Sequence, residues 1–372
     1  MSNKRGKMDY QQRIKTVQQQ LQELGCDAFI VEDPINLYYL LGLKISSGRL
    51  LLLKNQAYLF VDGRYTEICE KANLVSVIPT KTEENTFHNV LQKEAKEVKR
   101  LGFSSELLSY KMYLDLSRSI QEMGRTIELV TLDNPIKKIR SIKDQDELKL
   151  LKDAAELGSK GYDFLLEHLK EGVTEVELAR DLEIFWKQQG SKSLAFEPII
   201  AFGANSSMPH YRSSDIPLKK GDTVLLDIGV NLQGYHSDMT RTVFFQEPLS
   251  VMKEIYAIVK QAQEKALEII KPGIEIVQLD RAARGYIEET GYGPYFSHGL
   301  GHGVGLEIHE LPSLRKPFAI PAVCLEEGMV ITIEPGIYLP NIGGVRIENT
   351  VAVTNSGYED LTKRSTEMHI IS

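Results

Sequence analysis

The chain has 372 residues, 42% of them hydrophobic and 26% charged, and a formal net charge of −7. That length is too great for one average core and suggests about two domains, while the ordinary composition excludes a disordered or low-complexity polymer. The lysines and arginines are dispersed instead of gathered in a basic stripe, which excludes nucleic acid as a partner.

The opening stretch MSNKRGKMDYQQRIK is polar and helical in character, and no run of about eighteen apolar residues occurs. A cytoplasmic protein with no membrane partner is expected. Cys26, Cys69 and Cys324 form no CxxC pair, which fits reduced thiols acting as small apolar fillers. From Asp27 onward, apolar strands (DAFIVED, RLLLLKNQAYLFVDG, VSVIP, KRLGFSS and IELVT) alternate with amphipathic segments such as the helix TFHNVLQKEAKEV. This alternation predicts an α/β layer domain over residues 1–134. The charged, proline-broken stretch LDNPIKKIRSIKDQDE marks its end, and a second domain is expected over 135–372.

The second domain repeats itself. LKEGVTEVEL (169–178) aligns with IKPGIEIVQL (270–279), and the same spacing carries Gly190 onto Gly291. Further on, KKGDTVLLDIG (219–229) aligns with EEGMVITIEPG (326–336), which superposes Asp227 on Glu334. Each copy therefore runs helices first and strands second. Thr174 and Glu177 form a capping box ahead of a helix with Leu178, Leu182 and Phe185 on one face. In TVLLDIGVNLQGYHSDMTRTVFF, two apolar strands flank the turn-rich NLQG. A hairpin centred between Leu232 and Gln233 sets Asp227 directly opposite Asp238, with Cβ atoms about 5 Å apart.

Facing carboxylates repel, and Asp227 stands where a buried strand would otherwise take an apolar residue, so a compensating cation is needed. Glu334 and Glu348 repeat the problem in the second half. Four acids around one divalent ion are an excess of negative charge, whereas two ions balance them and leave room for a bridging hydroxide. The stretch SHGLGHGVGLEIHE (297–310) adds three histidines, with Gly299, Gly301, Gly303 and Gly305 leaving few Cβ atoms to obstruct close approach to a crowded site. At least one imidazole is expected as a ligand and others as proton carriers. His88, His168, His236 and His369 read as ordinary surface or core residues. GLGHGVG lacks the GxGxxG spacing of a phosphate loop, and no GxSxG serine elbow occurs.

Taken together, PHY (209–211), LLDIG (225–229), SDMTRT (237–242), HGLGHGVGLEIHE (298–310), IEPG (333–336) and VRIEN (345–349) resemble the dinuclear metallopeptidases of pita-bread fold. Within them the chain is most similar to the Xaa-Pro peptidases, aminopeptidase P and prolidase. NLYYLLGL (36–43) and FVDGRY (60–65) extend the resemblance to their N-terminal domain. The implied fold is an α/β N-terminal domain followed by an α+β pita-bread domain with an internal pseudo-two-fold duplication.

The resemblance implies two divalent metal ions, manganese first and cobalt or zinc as alternatives. Asp227 would chelate one ion, Asp238 and Glu348 would bridge both, and His302 and Glu334 would bind the second. Glu334 would also be the general base, taking a proton from the metal-bridging water. His210, His298 and His309 would hold the substrate and stabilise the tetrahedral intermediate, and Arg346 would orient the ligand carboxylates. Asn349 stands where the family usually has an acid, which removes one charge beside Glu348.

The implied activity is release of an N-terminal residue preceding proline, as in aminopeptidase P, with prolidase as the alternative. Arg315 and Lys316 are candidate readers of a dipeptide's carboxylate, or simply a solvated basic turn. Methionine aminopeptidase normally lacks such an N-terminal domain, and non-catalytic peptide-binding relatives typically lose ligands that are all present here. The expected partner is a proline-containing peptide. A homodimer is also implied, with Tyr38, Asp62 and Arg64 contributing to a neighbouring site.

Overall fold

The computed structural model describes residues 8–80, 86–315 and 323–372. It divides into two compact units, Met1–Arg140 and Ser141–Ser372. The junction falls one helix later than the 134/135 boundary expected from composition. All but the last residue of the helix Pro135–Ser141 stays with the first unit, where Arg140 Nη1 donates to Asn36 Oδ1 at 3.0 Å.

The first unit is built on a six-stranded sheet. In spatial order its strands are Ser76–Pro79, Ala57–Val61, Arg49–Leu53, Ala28–Val31, Arg100–Ser104 and Glu128–Leu132. Ala28–Val31 is buried at every residue, and Arg49–Leu53 at all but its first. Strands covered on both faces need no polar alternation, which is why AFIV and LLLL read as unbroken apolar runs. Phe60 packs edge-on against Phe87 of the helix Thr86–Lys93, with ring centroids 5.3 Å apart.

In the second unit the duplication is visible in the backbone. Helices Gln145–His168 and Glu175–Gln188 open the first half, and Ser250–Glu268 and Ile276–Glu289 open the second. Gly172 and Gly273 precede the second helix of each pair at φ 89° and 86°, and Gly190 and Gly291 follow it at 95° and 86°. These left-handed positions are why glycine recurs at the matched sites. The capping box at Thr174 and Glu177 is present. Isolated bridges join Thr174 to Pro217 and Glu275 to Cys324, again at matched positions.

The strands of the two halves correspond as well. Thr223–Ile228 lies between Ile199–Phe202 and Met239–Phe245, and Val330–Ile333 lies between Gly301–Gly303 and Asn349–Val353. Each half closes its own apolar core, one around Leu182, Trp186 and Leu226, the other around Val259, Leu279 and Ile331. Among the described residues no helix is long and apolar enough to cross a membrane.

One register differs from expectation. Asp227 pairs with Thr240, not with Asp238. The turn is centred on Gln233 and Gly234, both at positive φ (55° and 99°), and Asn231 pairs with His236 beside it. A two-residue turn with both central residues left-handed matches the twist of the strands it joins, so the hairpin closes around Gln233–Gly234 and the pairing slides by two. A slide of two keeps every side chain on its face, so Asp238 remains on the side of Asp227, now diagonal to it.

Gly161 in the helix Gln145–His168 packs against Trp186, the only tryptophan, whose Nε1 donates to Leu157 O at 3.0 Å. A Cβ on Gly161 would lie 2.5 Å from Trp186 Cζ2. Gly161→Ala is expected to destabilise the second unit by about 1–3 kcal/mol through overpacking. Urea unfolding followed by tryptophan fluorescence checks this, and an unchanged midpoint would refute the packing account.

Candidate metal centre

Four acids approach one another from the strand ends of the two halves. In the first half, Asp227 occupies the strand Thr223–Ile228, and Asp238 sits just before Met239–Phe245. In the second half the facing pair expected of the first half does occur. Ile333 pairs with Asn349 and Gly336 with Arg346, so Glu334 and Glu348 face each other in the break between those ladders. Gln263, buried in the helix Ser250–Glu268, holds both flanks of that break. Its Nε2 donates to Ile333 O at 3.1 Å and to Ile347 O at 3.0 Å.

His302 completes the group. Ligand-type atoms of Asp238, His302 and Glu348 all lie within 4.8 Å of one another. His302 Nε2 is 3.5 Å from Asp238 Oδ2 and 3.5 Å from Glu334 Oε1. His302 Nδ1 lies 3.1 Å from Gly303 O, so the ring proton belongs on Nδ1 and the Nε2 lone pair faces the carboxylates. Burial and neighbouring His309 push the His302 pKa down to about 4, which keeps the ring neutral.

The carboxylates shift the opposite way. Burial and Asp227 raise Glu348 to about 8. Burial, followed by Glu348 and the other acids, raises Asp238 well above its usual range, and burial with Glu348 does the same to Glu334. Asp227 Oδ1 is buried without a hydrogen-bond partner. Acceptor thus faces acceptor throughout, and oxygen donors with one imidazole suit hard or borderline divalent cations. The residues fit the metals that the sequence implied.

A single arginine spans the two halves. Arg346 donates from Nη2 to Asp227 Oδ2 at 2.6 Å, from Nε to Thr240 Oγ1 at 3.1 Å and from Nη1 to Tyr338 OH at 2.7 Å. Thr240, the true partner of Asp227, in turn donates to Glu348 Oε2 at 2.7 Å. His298 is engaged at both nitrogens: Nδ1 lies 2.8 Å from Gly299 O, and Nε2 lies 2.8 Å from Tyr338 OH. Burial and Arg346 hold its pKa down to about 3. In this structure both ring nitrogens of His298 are taken up by these partners.

His309 and His210 are exposed. The His309 ring meets that of His302 edge-on at 4.4 Å, and burial and His210 lower its pKa. The glycines of the histidine stretch serve a purpose other than the one expected. A Cβ on Gly301 would collide with the carbonyl of Thr332, and one on Gly303 with the carbonyl of Leu311. They admit neighbouring strands and leave His302 on the intervening position. Lys143 fixes the end of the stretch through a 2.8 Å ion pair to Glu310, with side chains 1% and 3% exposed. His236 Nδ1 lies 3.1 Å from Gly305 O.

Sequence reasoning missed Thr240, Tyr338, Gln263 and Lys143. It also missed Glu175, whose buried carboxylate accepts from Phe202 N, Asn205 Nδ2, Tyr211 OH and Ser214 N, fixing the loop that carries His210. Tyr338 and Thr240 lie within or next to the motifs that carry the resemblance. The remaining residues bond backbone or charges distant in sequence.

Asn349 donates from Nδ2 to Asp360 Oδ2 at 2.6 Å, so a carboxylate is supplied at that place by Asp360. Behind the acids, buried Arg241 donates only to carbonyls, those of Thr240, Glu348, Arg364 and Ser365. Arg315 is exposed, and Lys316 lies outside the described residues. In the first unit Asp62 and Arg64 pair with each other at 2.7 Å, and the Lys44 ammonium lies over the Tyr38 ring.

Acids with raised pKa hold protons that the unfolded chain releases. Between pH 6.5, above which His298 and His302 are neutral folded or unfolded, and about 8, where Glu348 titrates, the folded metal-free chain therefore binds more protons than the unfolded one, and its stability falls as pH rises. Metal-stripped protein is expected to melt at progressively lower temperature across that window, and added divalent cation should remove the slope. Scanning calorimetry at several pH values measures this, and a flat metal-free profile would contradict the crowding of acids.

Comparison with known proteins agrees with this geometry. Residues 13–142 match the Creatinase/Prolidase N-terminal domain and residues 149–355 match metallopeptidase family M24. An Xaa-Pro dipeptidase of Pyrococcus horikoshii is 37% identical over 96% of this chain and 98% of its own length. The solved Xaa-Pro dipeptidase of Bacillus anthracis superposes with a TM-score of 0.90 at 35% identity, covering 98% of this chain and 100% of that one. The X-Pro aminopeptidase of Thermotoga maritima superposes at 0.84 with 32% identity, covering 94% and 99%. Two domains of these kinds, in this order and over nearly the whole length, place the chain in metallopeptidase family M24, with the pita-bread fold.

Proposed function

We propose that the chain is a metal-dependent Xaa-Pro dipeptidase. The observation that carries the metal-dependent part is the convergence of Asp238 and Glu334 on the neutral Nε2 of His302, each 3.5 Å from it. The sequence alone favoured aminopeptidase P. The names of relatives at 37% and 35% identity support the dipeptidase instead.

In this reading Asp227, Asp238, His302, Glu334 and Glu348 would hold two divalent ions. Manganese is the first candidate because four of the five donors are carboxylates. Bound ions would polarise the scissile carbonyl and make hydroxide available near neutral pH. Glu334 is the general base, since burial and the neighbouring acids strengthen its hold on a proton. Arg346 fixes the orientation of Asp227 and ties it through Thr240 to Glu348. His309, kept neutral by its lowered pKa, retains one ring N–H for the oxyanion, and exposed His210 stands at the rim. The imide of Xaa-Pro has no N–H, so recognition falls to the shape of the pyrrolidine and to the two chain ends. Arg315, exposed and packed close to Gly299, is the candidate cation for the dipeptide's carboxylate.

Manganese-loaded protein is expected to hydrolyse an Xaa-Pro dipeptide and to leave Xaa-Pro-Pro intact. Cleavage of the tripeptide alone would return the assignment to aminopeptidase P. Asp238→Ala should abolish metal binding and turnover while the fold persists, and full activity in that variant would sink the ligand assignment. Glu334→Gln should lower kcat by roughly 10²–10⁴-fold. Arg315→Ala should raise KM for the dipeptide about tenfold with little change in kcat, the signature of lost ground-state binding.

A further inference from the structure

The amino-terminal unit contains a cavity separate from the acids and histidines of the second unit. It has a volume of ≈190 Å³ and is lined by residues at the ends of two strands, Ala28–Val31 and Arg100–Ser104. These strands are parallel neighbours, and the chain leaves them in opposite directions. The first leads to Arg49–Leu53 on one side, and the second to Glu128–Leu132 on the other. In an open α/β sheet, such a divergence opens a crevice at the carboxyl ends of the strands, the usual place for a ligand.

The polar chemistry of this crevice is unsatisfied. Glu32 Oε2, Ser104 Oγ and Asn134 Nδ2 are buried without hydrogen-bond partners, and all three residues line the cavity. Ser104 is 8% exposed and Asn134 6%. The other ends of two of these side chains are already fixed. Arg49 Nε donates to Glu32 Oε1 at 2.6 Å, and Asn134 Oδ1 accepts from Ile136 N at 3.1 Å. One carboxylate oxygen, one amide donor and one hydroxyl therefore remain, beside walls made apolar by Phe29, Phe103, Leu108 and Met112. Exposed Leu107 also lines the cavity, which places an opening to solvent there.

We propose that this cavity binds a free α-amino acid with an apolar side chain. The ligand's ammonium donates to Glu32 Oε2, and its carboxylate accepts from Asn134 Nδ2 and Ser104 Oγ. Its side chain packs on the aromatic and aliphatic wall. The volume is many times the roughly 10–15 Å³ that one water needs on this measure, enough for a molecule of the size of leucine.

Titration calorimetry of the full chain with L-leucine tests the site, with 4-methylpentanoate and isoamylamine as ligands lacking one charged end. Leucine is expected to bind with a dissociation constant on the order of 1 mM or tighter, and each truncated ligand at least about tenfold more weakly. Glu32→Gln, Ser104→Ala and Asn134→Asp should each weaken leucine by about tenfold or more, while Glu334→Gln leaves its affinity unchanged. Amide exchange should slow at residues 29–34 and 103–108 on binding. The three cavity variants should keep the wild-type rate of Xaa-Pro hydrolysis, which shows that they fold. Wild-type affinity in all three variants, protection confined to the second unit, or no heat at about 10 mM leucine would each overturn the proposal.

Discussion

The second unit is organised around a repulsion that the chain's own groups relieve only in part. A neutral imidazole nitrogen, two carboxylates 3.5 Å from it, and two more carboxylates nearby all offer electron pairs to the same space. Buried acceptors without donors are among the most costly arrangements a fold can hold. The chain keeps them only because two independent apolar cores drive the strand ends together from either side. Arg346 offsets part of the cost at Asp227, and Thr240 at Glu348. What remains is a standing demand for cations, and that demand is the structural basis of a metallopeptidase.

The duplication explains how one chain assembles such a site, and also why its halves are unequal. Asp227 and Glu334 occupy matched strands, but their partners across the ladder differ. Opposite Asp227 stands the hydroxyl of Thr240, whereas opposite Glu334 stands the carboxylate of Glu348. Two residues before those partners the roles exchange, with Asp238 in one half and Arg346 in the other. Each half therefore brings a residue that the other lacks, and the hydrogen bonds from Arg346 to Thr240 and from Thr240 to Glu348 cross the seam where they meet.

Much of this was legible in the sequence because it is written in periodicity and in residue type. The repeat of helix openings, the glycines at matched turns and the run of apolar strands follow from local rules, as did the four acids on strands, whereas His302 was singled out from its neighbouring histidines only by the family resemblance. The pairing of Asp227 with Asp238 was misread because the turn places Gln233, a side-chain-bearing residue, at positive φ, where the eye looks for Asn or Gly. Gln263 and Lys143 were invisible for a different reason. Each acts on groups far away in sequence, and nothing in its neighbours records the contact. The choice between dipeptide and longer substrate was also illegible, since it depends on the closure of a pocket instead of on the reacting groups.

Arg241 carries a consequence for how the protein is made. Its guanidinium, 1% exposed, is satisfied by four carbonyls, and two of these belong to Arg364 and Ser365. Ile370 and Ile371 then add a parallel strand beside Phe244 and Phe245. A nascent chain that has already emerged past Glu348 holds every candidate metal-binding side chain, yet the arginine behind them still lacks half of its acceptors. Synthesis must run on to these late residues before the interior charge has all of its acceptors, although the acids and the histidine all precede that point.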